Sequence, residues 1–132
     1  MPVSAEKILD TGATQVRPRT VVFAVVPGGH GEPGEDEALA EIKELLRSAD
    51  MEWVADVIQH REAPNPHSYL GKGKMSELKA AIAENQAAVA VCEDDLTPAQ
   101  VAAVLDAVDA DVLDRTELIL TVFSKHAHSL EG

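Results

Sequence analysis

Short runs of β-branched and apolar residues alternate along this chain with segments whose apolar positions recur at helical spacing. Thr20 to Val26 is a dense apolar run that ends at Pro27 and Gly28, as is typical of a strand buried on both faces. Three further runs have the character of strands, at 52–59, 87–92 and 111–113. Amphipathic helical patterns lie at 35–49, 74–85, 98–108 and about 118–126.

Two of the predicted helices carry capping signals at their starts. Thr97 is a favoured N-cap residue, Pro98 suits the first helical position, and Gln100 completes a capping box. Asp114 stands three residues before Glu117, and this spacing predicts a second N-cap with a box partner.

Alternation of strands and helices at this spacing predicts βαβ units and therefore a parallel sheet. We expect an α/β fold with a four-stranded, mainly parallel sheet in the order 2-1-3-4 and helices on both faces. One domain should cover residues 20–132. Residues 1–19 have little pattern and contain Pro2, Gly12 and Pro18, so they are expected to form a flexible N-terminal arm.

Composition and charge narrow the choice of partners. The chain has 132 residues and a formal net charge of −12, with 23 acidic against 11 basic residues. Contacts to phosphates need Lys and Arg, so the chain is a poor general binder of DNA or of anionic membranes. The single cysteine, Cys92, excludes an internal disulfide and a zinc site with paired cysteines, and it indicates a cytoplasmic location.

One locally basic stretch stands out in the acidic chain. Gly71-Lys72-Gly73-Lys74 opens a predicted helix, and Arg61 lies shortly before it. Free backbone N–H groups and lysines at a helix start can bind an anion or RNA. The alternative is that Gly71 and Gly73 only shape the helix start while the lysines are solvated. Arg115 is either a further contact or one half of a structural ion pair.

Clustered carboxylates give a weaker candidate. Glu93, Asp94 and Asp95 follow the third strand, at the edge where open α/β sheets bind ligands, and Gly28-Gly29 follows the first. These residues could surround a nucleotide or Mg²⁺, or the acids could simply lead into the Thr97 cap. No histidine pair has metal-site spacing, and Cys92 is expected to be a buried, inert thiol. We therefore predict no catalytic residue, no metal site and no cofactor.

Three blocks of sequence, taken together and in order, resemble a known family. The first comprises Gln59-His60-Arg61 and the segment from Pro64 to Met75. The second is Asp94-Asp95-Leu96-Thr97-Pro98-Ala99-Gln100, and the third runs from Val112 to Phe123. Over about residues 20–132 they look like the N-terminal domain of HflX, the ribosome-associated GTPase. The resemblance implies an α/β domain that precedes a helical hairpin and a G domain and that helps to bind the large ribosomal subunit.

The sequence lacks a P-loop and an N-K-x-D motif, so on its own it is expected to be a non-catalytic binding module. It is either cut from a longer protein or a free-standing relative with a changed task. A free-standing relative without the family's helical hairpin and G domain would leave its last helix uncovered. Its apolar residues Leu118, Ile119, Val122 and Phe123 would then form a candidate interaction surface for self-association.

Overall fold

Strands and helices alternate through the whole of the described chain. The computed structural model describes residues 17–28 and 35–131. Its strands are β1 (Arg19–Val26), β2 (Glu52–His60), β3 (Val89–Cys92) and β4 (Asp111–Leu113). Its helices are α1 (Glu35–Ser48), α2 (Lys72–Glu84), α3 (Pro98–Ala107) and α4 (Arg115–Glu131). Most of the predicted arm, residues 1–16, and the segment 29–34 lie outside the described residues.

The four strands form one sheet in the order β2-β1-β3-β4, and every pairing is parallel. This confirms the predicted order and direction. Because the strands are parallel, the segments that follow β1, β2, β3 and β4 all emerge at one edge of the sheet. We call this edge, with Val26, His60, Cys92 and Leu113 as the last strand residues, the carboxyl edge.

Helices cover both faces of the sheet, as the sequence predicts. Side chains of β1 alternate between the two faces, with Val21 and Phe23 on one and Val22 on the other. Buried residues of α2 and α3 pack on the first face, and buried residues of α1 and α4 pack on the second. The central strands β1 and β3 are therefore enclosed on both sides, which explains why their sequences are continuously apolar.

Capping residues fix where two helices begin. Thr97 Oγ1 accepts a hydrogen bond from the Gln100 N–H at 3.1 Å, and Gln100 Oε1 accepts one from the Thr97 N–H at 2.9 Å. The predicted capping box is confirmed. Asp114 Oδ1 likewise accepts from the Glu117 N–H at 2.9 Å, so α4 begins at Arg115, earlier than the apolar pattern alone indicates.

Two other elements begin two residues away from their predicted starts. Helix α2 begins at Lys72 rather than Lys74, so both lysines of the basic stretch are helical. Strand β3 begins at Val89 rather than Ala87, because the Ala87 N–H donates to the Ile82 carbonyl and belongs to the end of α2. No described helix is long and apolar enough to cross a membrane.

Candidate functional site

The loop that joins β2 to α2, residues 61–71, contains a tight turn built by Asn65. Its Oδ1 accepts hydrogen bonds from the N–H groups of His67 at 2.8 Å and Ser68 at 3.1 Å. Two backbone hydrogen bonds also join Asn65 and Tyr69, at 3.0 and 2.9 Å. Tyr69 has a φ of +66°, a conformation that residues other than glycine rarely adopt. The contacts of its side chain hold it there.

Tyr69 anchors this loop in the core at the carboxyl edge. Its ring is buried and meets Phe23 edge-on, with 5.7 Å between the ring centroids. Its hydroxyl accepts from the Val25 N–H at 2.9 Å and donates to Asp94 Oδ2 at 2.5 Å. Burial raises the pKa of the Tyr69 hydroxyl far above its ordinary value, so this group remains a proton donor. One side chain thus joins the loop to the ends of β1 and β3.

Two glutamines hold the loop, one at its end and one at the Asn65 turn. Gln59 Oε1, near the end of β2, accepts from the Gly71 N–H at 2.9 Å. Gln100 Nε2, in α3, donates to the Asn65 carbonyl at 2.9 Å. A Cβ on Gly71 would lie only 3.0 Å from Gln59 Nε2, so this close approach favours glycine. The loop is consequently held by β2, the core and α3 together.

Basic side chains lie close together where α2 begins. Gly71 is the N-cap residue, and no side chain caps the helix there. The first turn contains no acidic residue. Arg61 lies beside this end, because a Cβ on Gly71 would be 3.9 Å from Arg61 Nη1, and space around Gly73 is open. Lys72 is exposed, while Lys74 Nζ lies 3.1 Å from Glu77 Oε2. Arg61, Gly71 and the two lysines are thus at one place, which we call the α2 start.

The carboxylates after β3 mostly serve to connect backbone segments. Asp95 Oδ1 accepts from the Thr116 N–H at 3.1 Å and from its hydroxyl at 2.7 Å. Asp94 carries the Tyr69 hydrogen bond. In the opposite direction, Asp114 Oδ2 accepts from the Leu96 N–H at 3.1 Å. These bonds favour the structural alternative for Asp94 and Asp95, and Gly29, their proposed partner in ligand binding, lies outside the described residues.

Glu93, directly after β3, has a raised pKa. Burial, together with the neighbouring Asp94 carboxylate, raises the pKa of Glu93 to about 7. Arg115 Nη1 lies 3.6 Å from Glu93 Oε1, and the same guanidinium contacts Glu41 of α1. The position of Arg115 therefore favours the structural ion pair that the sequence left open.

Cys92 has the surroundings expected of an inert thiol. It is fully buried at the end of β3, and burial raises its pKa well above the ordinary value, which disfavours the reactive thiolate. Within residues 17–28 and 35–131, no group of three or more potential metal-ligating side chains comes together.

The candidate interaction surface on α4 needs one correction. Leu118 is fully buried in the core beneath β3 and β4, so its assignment to an exposed surface is wrong. The cause is that the first turns of α4 lie against the sheet, with Leu118 on the side that faces it. Phe123 is 65% exposed, and Leu120, which the prediction omitted, is 54% exposed. Ile119 and Val122 are half-buried between these extremes.

Sequence comparison places this fold in a family. Residues 36–124 match the family model described as GTP-binding GTPase N-terminal. The chain is 40% identical to a GTPase HflX of Lacrimispora saccharolytica over 89% of its own length and 27% of that protein. It is 34% identical to the GTPase HflX of Escherichia coli over 73% of its length and 22% of that protein. The chain thus spans about a quarter of the length of the relatives that it matches.

Comparison with solved structures supports the fold alone. A crystal structure of a complex of SsGBP with GDP superposes on 82% of this chain, and 29% of that chain is covered. Its TM-score is 0.59 and its sequence identity is 21%. A mutation variant of SsGBP gives a TM-score of 0.60 at 20% identity.

Proposed function

Because the chain belongs to the GTP-binding GTPase N-terminal family and matches part of HflX GTPases, we propose that it is a non-catalytic binding domain for the large ribosomal subunit. Its α2 start is the proposed contact with ribosomal RNA, through Arg61, Lys72 and Lys74. GTP hydrolysis is the activity of the full-length relatives that are named GTPase HflX. A cytoplasmic location, which the lone reduced Cys92 supports, is part of the proposal.

The local charge at the α2 start carries this proposal. A helix N-terminus presents unpaired N–H groups and a positive dipole end, and here no side-chain cap or acidic first turn occupies them. Arg61 adds a guanidinium beside Gly71, and Lys72 projects an exposed ammonium. The net charge of −12 repels polyanions elsewhere, so any contact with RNA should be confined to this place.

Co-sedimentation with purified large ribosomal subunits at a series of salt concentrations tests the proposal. The double variant Lys72→Glu/Lys74→Glu should bind more weakly than wild type, and most clearly at low salt. If both lysines contact phosphates, the slope of log affinity against log salt concentration should become shallower by about two. Equal co-sedimentation of variant and wild type would contradict the proposal.

A matched control reverses two charges at the other end of the sheet. Lys43 and Arg47 lie toward the end of α1, which runs back to the edge where the strands begin. The variant Lys43→Glu/Arg47→Glu changes net charge by the same amount, but it should keep the affinity of wild type. An equal loss in both variants would mean that total charge, rather than the α2 start, governs binding.

Exposed apolar residues on α4 support a second candidate function, self-association. Leu120 and Phe123 are more than half exposed and stand three residues apart, so they share one side of the helix. Light scattering over a range of concentrations should then show a dimer that Leu120→Ser/Phe123→Ser converts to a monomer. A wild-type monomer at high concentration would exclude this function.

A further inference from the structure

The outer edge of β2 is the longer of the two edges of the sheet. Strand β2 is the first in the order and pairs only with β1 among the described strands. It has nine residues, whereas β4 at the opposite edge has three. A register shift near its start leaves a regular part from Ala55 to His60, which contains no proline and no lysine. Short strands, proline and lysine are common means of blocking an edge, and this edge has none of them.

Alternate residues of β2 turn their backbone groups away from β1. The Arg61 N–H donates to the Val26 carbonyl at 3.1 Å, so the residues two and four positions earlier also face β1. The backbone groups of Asp56, Ile58 and His60 therefore face outward. In the part of the chain that the structure describes, no hydrogen bond outside the ladder with β1 uses the backbone of Asp56 or Ile58.

The side chains of these three residues lie on the face of the sheet that α1 covers, since Val57 packs in the core on the other face. Asp56 is exposed, and Ile58 and His60 are half-buried. A neighbouring strand at this edge would therefore meet side chains as well as backbone groups.

The charge of Asp56 decides in which register a second copy of β2 fits this edge. In an antiparallel twofold pair, residues equally distant from the centre lie opposite each other. With the centre at position 56 or 59, Asp56 faces an acid, namely Asp56 or Glu62 of the second copy, which is unfavourable. With the centre at position 57 it faces Ile58, and at position 60 it faces Pro64, which has no N–H.

A centre at Ile58 avoids each of these conflicts. Ile58 then lies opposite Ile58 of the second copy, and each Asp56 carboxylate lies opposite a His60 imidazole, a side chain that can donate an N–H. His60 also has a contact within its own chain, and the pairing requires only that the side chain opposite Asp56 is not acidic. Each opposed pair of outward residues can exchange two backbone hydrogen bonds.

A second pair of opposite charges comes together in the same register. Glu62 follows the end of β2 and reaches the start of β2 in the other copy. There, Lys43 Nζ lies 3.9 Å from the centroid of the Trp53 ring, and Trp53 is 42% exposed. By symmetry every such contact occurs twice. The edge is thus complementary in charge to a second copy of itself.

We propose that two copies of this chain pair through β2, antiparallel and centred on Ile58, and join their sheets into one sheet of eight strands, four from each copy. The interface goes beyond ribosome binding at the α2 start. It also uses neither Leu120 nor Phe123, so each of these surfaces can fail its own test without the others.

Sedimentation equilibrium of the whole chain tests the proposal with two complementary variants. Asp56→Lys removes the acid opposite His60, and His60→Asp places two acids opposite each other. Each variant alone should dimerise about tenfold more weakly than wild type. An equimolar mixture should recover the dimer, because the introduced lysine of one chain then lies opposite the introduced aspartate of the other. A mixture that stays as weak as its components would overturn the proposal, as would a monomeric wild type.

Two matched controls make the same charge changes at exposed sites away from β2. Glu84→Lys at the end of α2 and His67→Asp in the 61–71 loop should both dimerise like wild type. The double variant Leu120→Ser/Phe123→Ser should also keep this dimer. If that variant alone abolished dimerisation, self-association would belong to α4 and the proposal would be wrong.

Amide hydrogen exchange followed by nuclear magnetic resonance tests the interface in the wild-type chain. The outward amides of Asp56 and Ile58 should exchange more slowly as protein concentration rises through dimerisation. Those of Val57 and Gln59, which bond to β1, should exchange slowly at every concentration. Fast exchange of the outward amides in a dimer would contradict the proposal. Slow exchange in a monomer would assign the edge to another part of the same chain and would overturn it as well.

Discussion

The Tyr69 hydroxyl donates a 2.5 Å hydrogen bond to Asp94 Oδ2, and so joins the 61–71 loop to the segment after β3. The same hydroxyl accepts from the Val25 N–H, which otherwise would have no strand partner at the end of β1. Tyr69 is the only tyrosine in a chain with 3% aromatic residues. Tyr69 is therefore the core anchor of the loop that leads to the α2 start, and it acts together with Gln59 and Gln100.

Removal of the Tyr69 hydroxyl should destabilise the fold. Tyr69→Phe keeps the ring contact with Phe23 but leaves the Val25 N–H and the Asp94 carboxylate without this partner. We expect a loss of about 1–3 kcal/mol in the free energy of unfolding, as for other buried polar groups left unpaired. Urea denaturation followed by circular dichroism measures it, and an unchanged midpoint would show that the hydroxyl contributes nothing.

Glu93 should make stability depend on pH. Its pKa is about 7 in the folded state and near the ordinary 4.5 when unfolded, so the folded state binds the proton more tightly. Between these two pKa values the free energy of unfolding should fall as pH rises. Above pH 7 the folded state bears the full cost of a buried, ionised Glu93 carboxylate. Glu93→Gln should flatten this slope, and the slope is the readout because the amide also loses the ion pair with Arg115, which shifts the whole curve.

Thermal unfolding across this pH range, with Glu84→Gln as the control, measures the effect. Glu84 is exposed at the end of α2, so its amide variant should follow the wild-type curve. Asp111, whose pKa is also raised, contributes in the same direction and keeps the Glu93→Gln curve from becoming flat. Parallel curves for wild type and Glu93→Gln would contradict the assignment.

The two glycines of the basic stretch should respond oppositely to alanine. Gly71→Ala places a Cβ 3.0 Å from Gln59 Nε2 and should weaken the bond that holds the loop, which lowers stability. Gly73 lies in the first turn of α2 with no atom within 4 Å of a new Cβ. Gly73→Ala should stabilise the protein by about 0.5–1 kcal/mol through helix propensity. Calorimetry of both variants tests this prediction, and stability changes of the same sign in the two variants would contradict it.

Gln100→Ala should cost more stability than Thr97→Ala, although both belong to one capping box. Thr97→Ala removes a helix cap, typically worth about 1 kcal/mol. Gln100 is buried and also donates to the Asn65 carbonyl, so its loss frees the 61–71 loop in addition. A double-mutant cycle in urea separates the shared capping energy from the loop contact. Equal single-variant losses would show that the loop contact is neutral.

Core and surface positions on α4 can be distinguished by truncation. Leu118→Ala should leave a cavity beneath the sheet and cost about 2–5 kcal/mol. Phe123→Ala removes a larger but mostly exposed side chain and should cost well under 1 kcal/mol in the monomer. Chemical denaturation at low protein concentration compares them. A larger loss for Phe123→Ala would mean that this ring is covered in solution.

The local sequence was sufficient to predict the helices and strands and their order along the chain. The apolar runs at 20–26 and 87–92 predict central strands, and the Thr97 and Asp114 caps predict helix starts that the structure contains. The sequence also gathers Arg61 and Lys72 in one stretch, although it does not reveal Tyr69, Gln59 or Gln100 as the residues that hold that stretch in place. The only local hints were the turn-forming Asn65-Pro66 pair and the rarity of tyrosine.

The sequence by itself determined the α/β class, the parallel order of the strands and the family, because periodicity and local capping depend on residues close together in the chain. Only the tertiary structure decided which polar residues are engaged. It assigns Arg115 to Glu41 and Glu93 and Leu118 to the core, and it leaves Asp111 Oδ2 buried without a hydrogen-bond partner among the described residues. Those outcomes depend on atoms brought together from distant segments, and burial, which sets the cost of an unpaired charge, exists only once the sheet and its helices are packed.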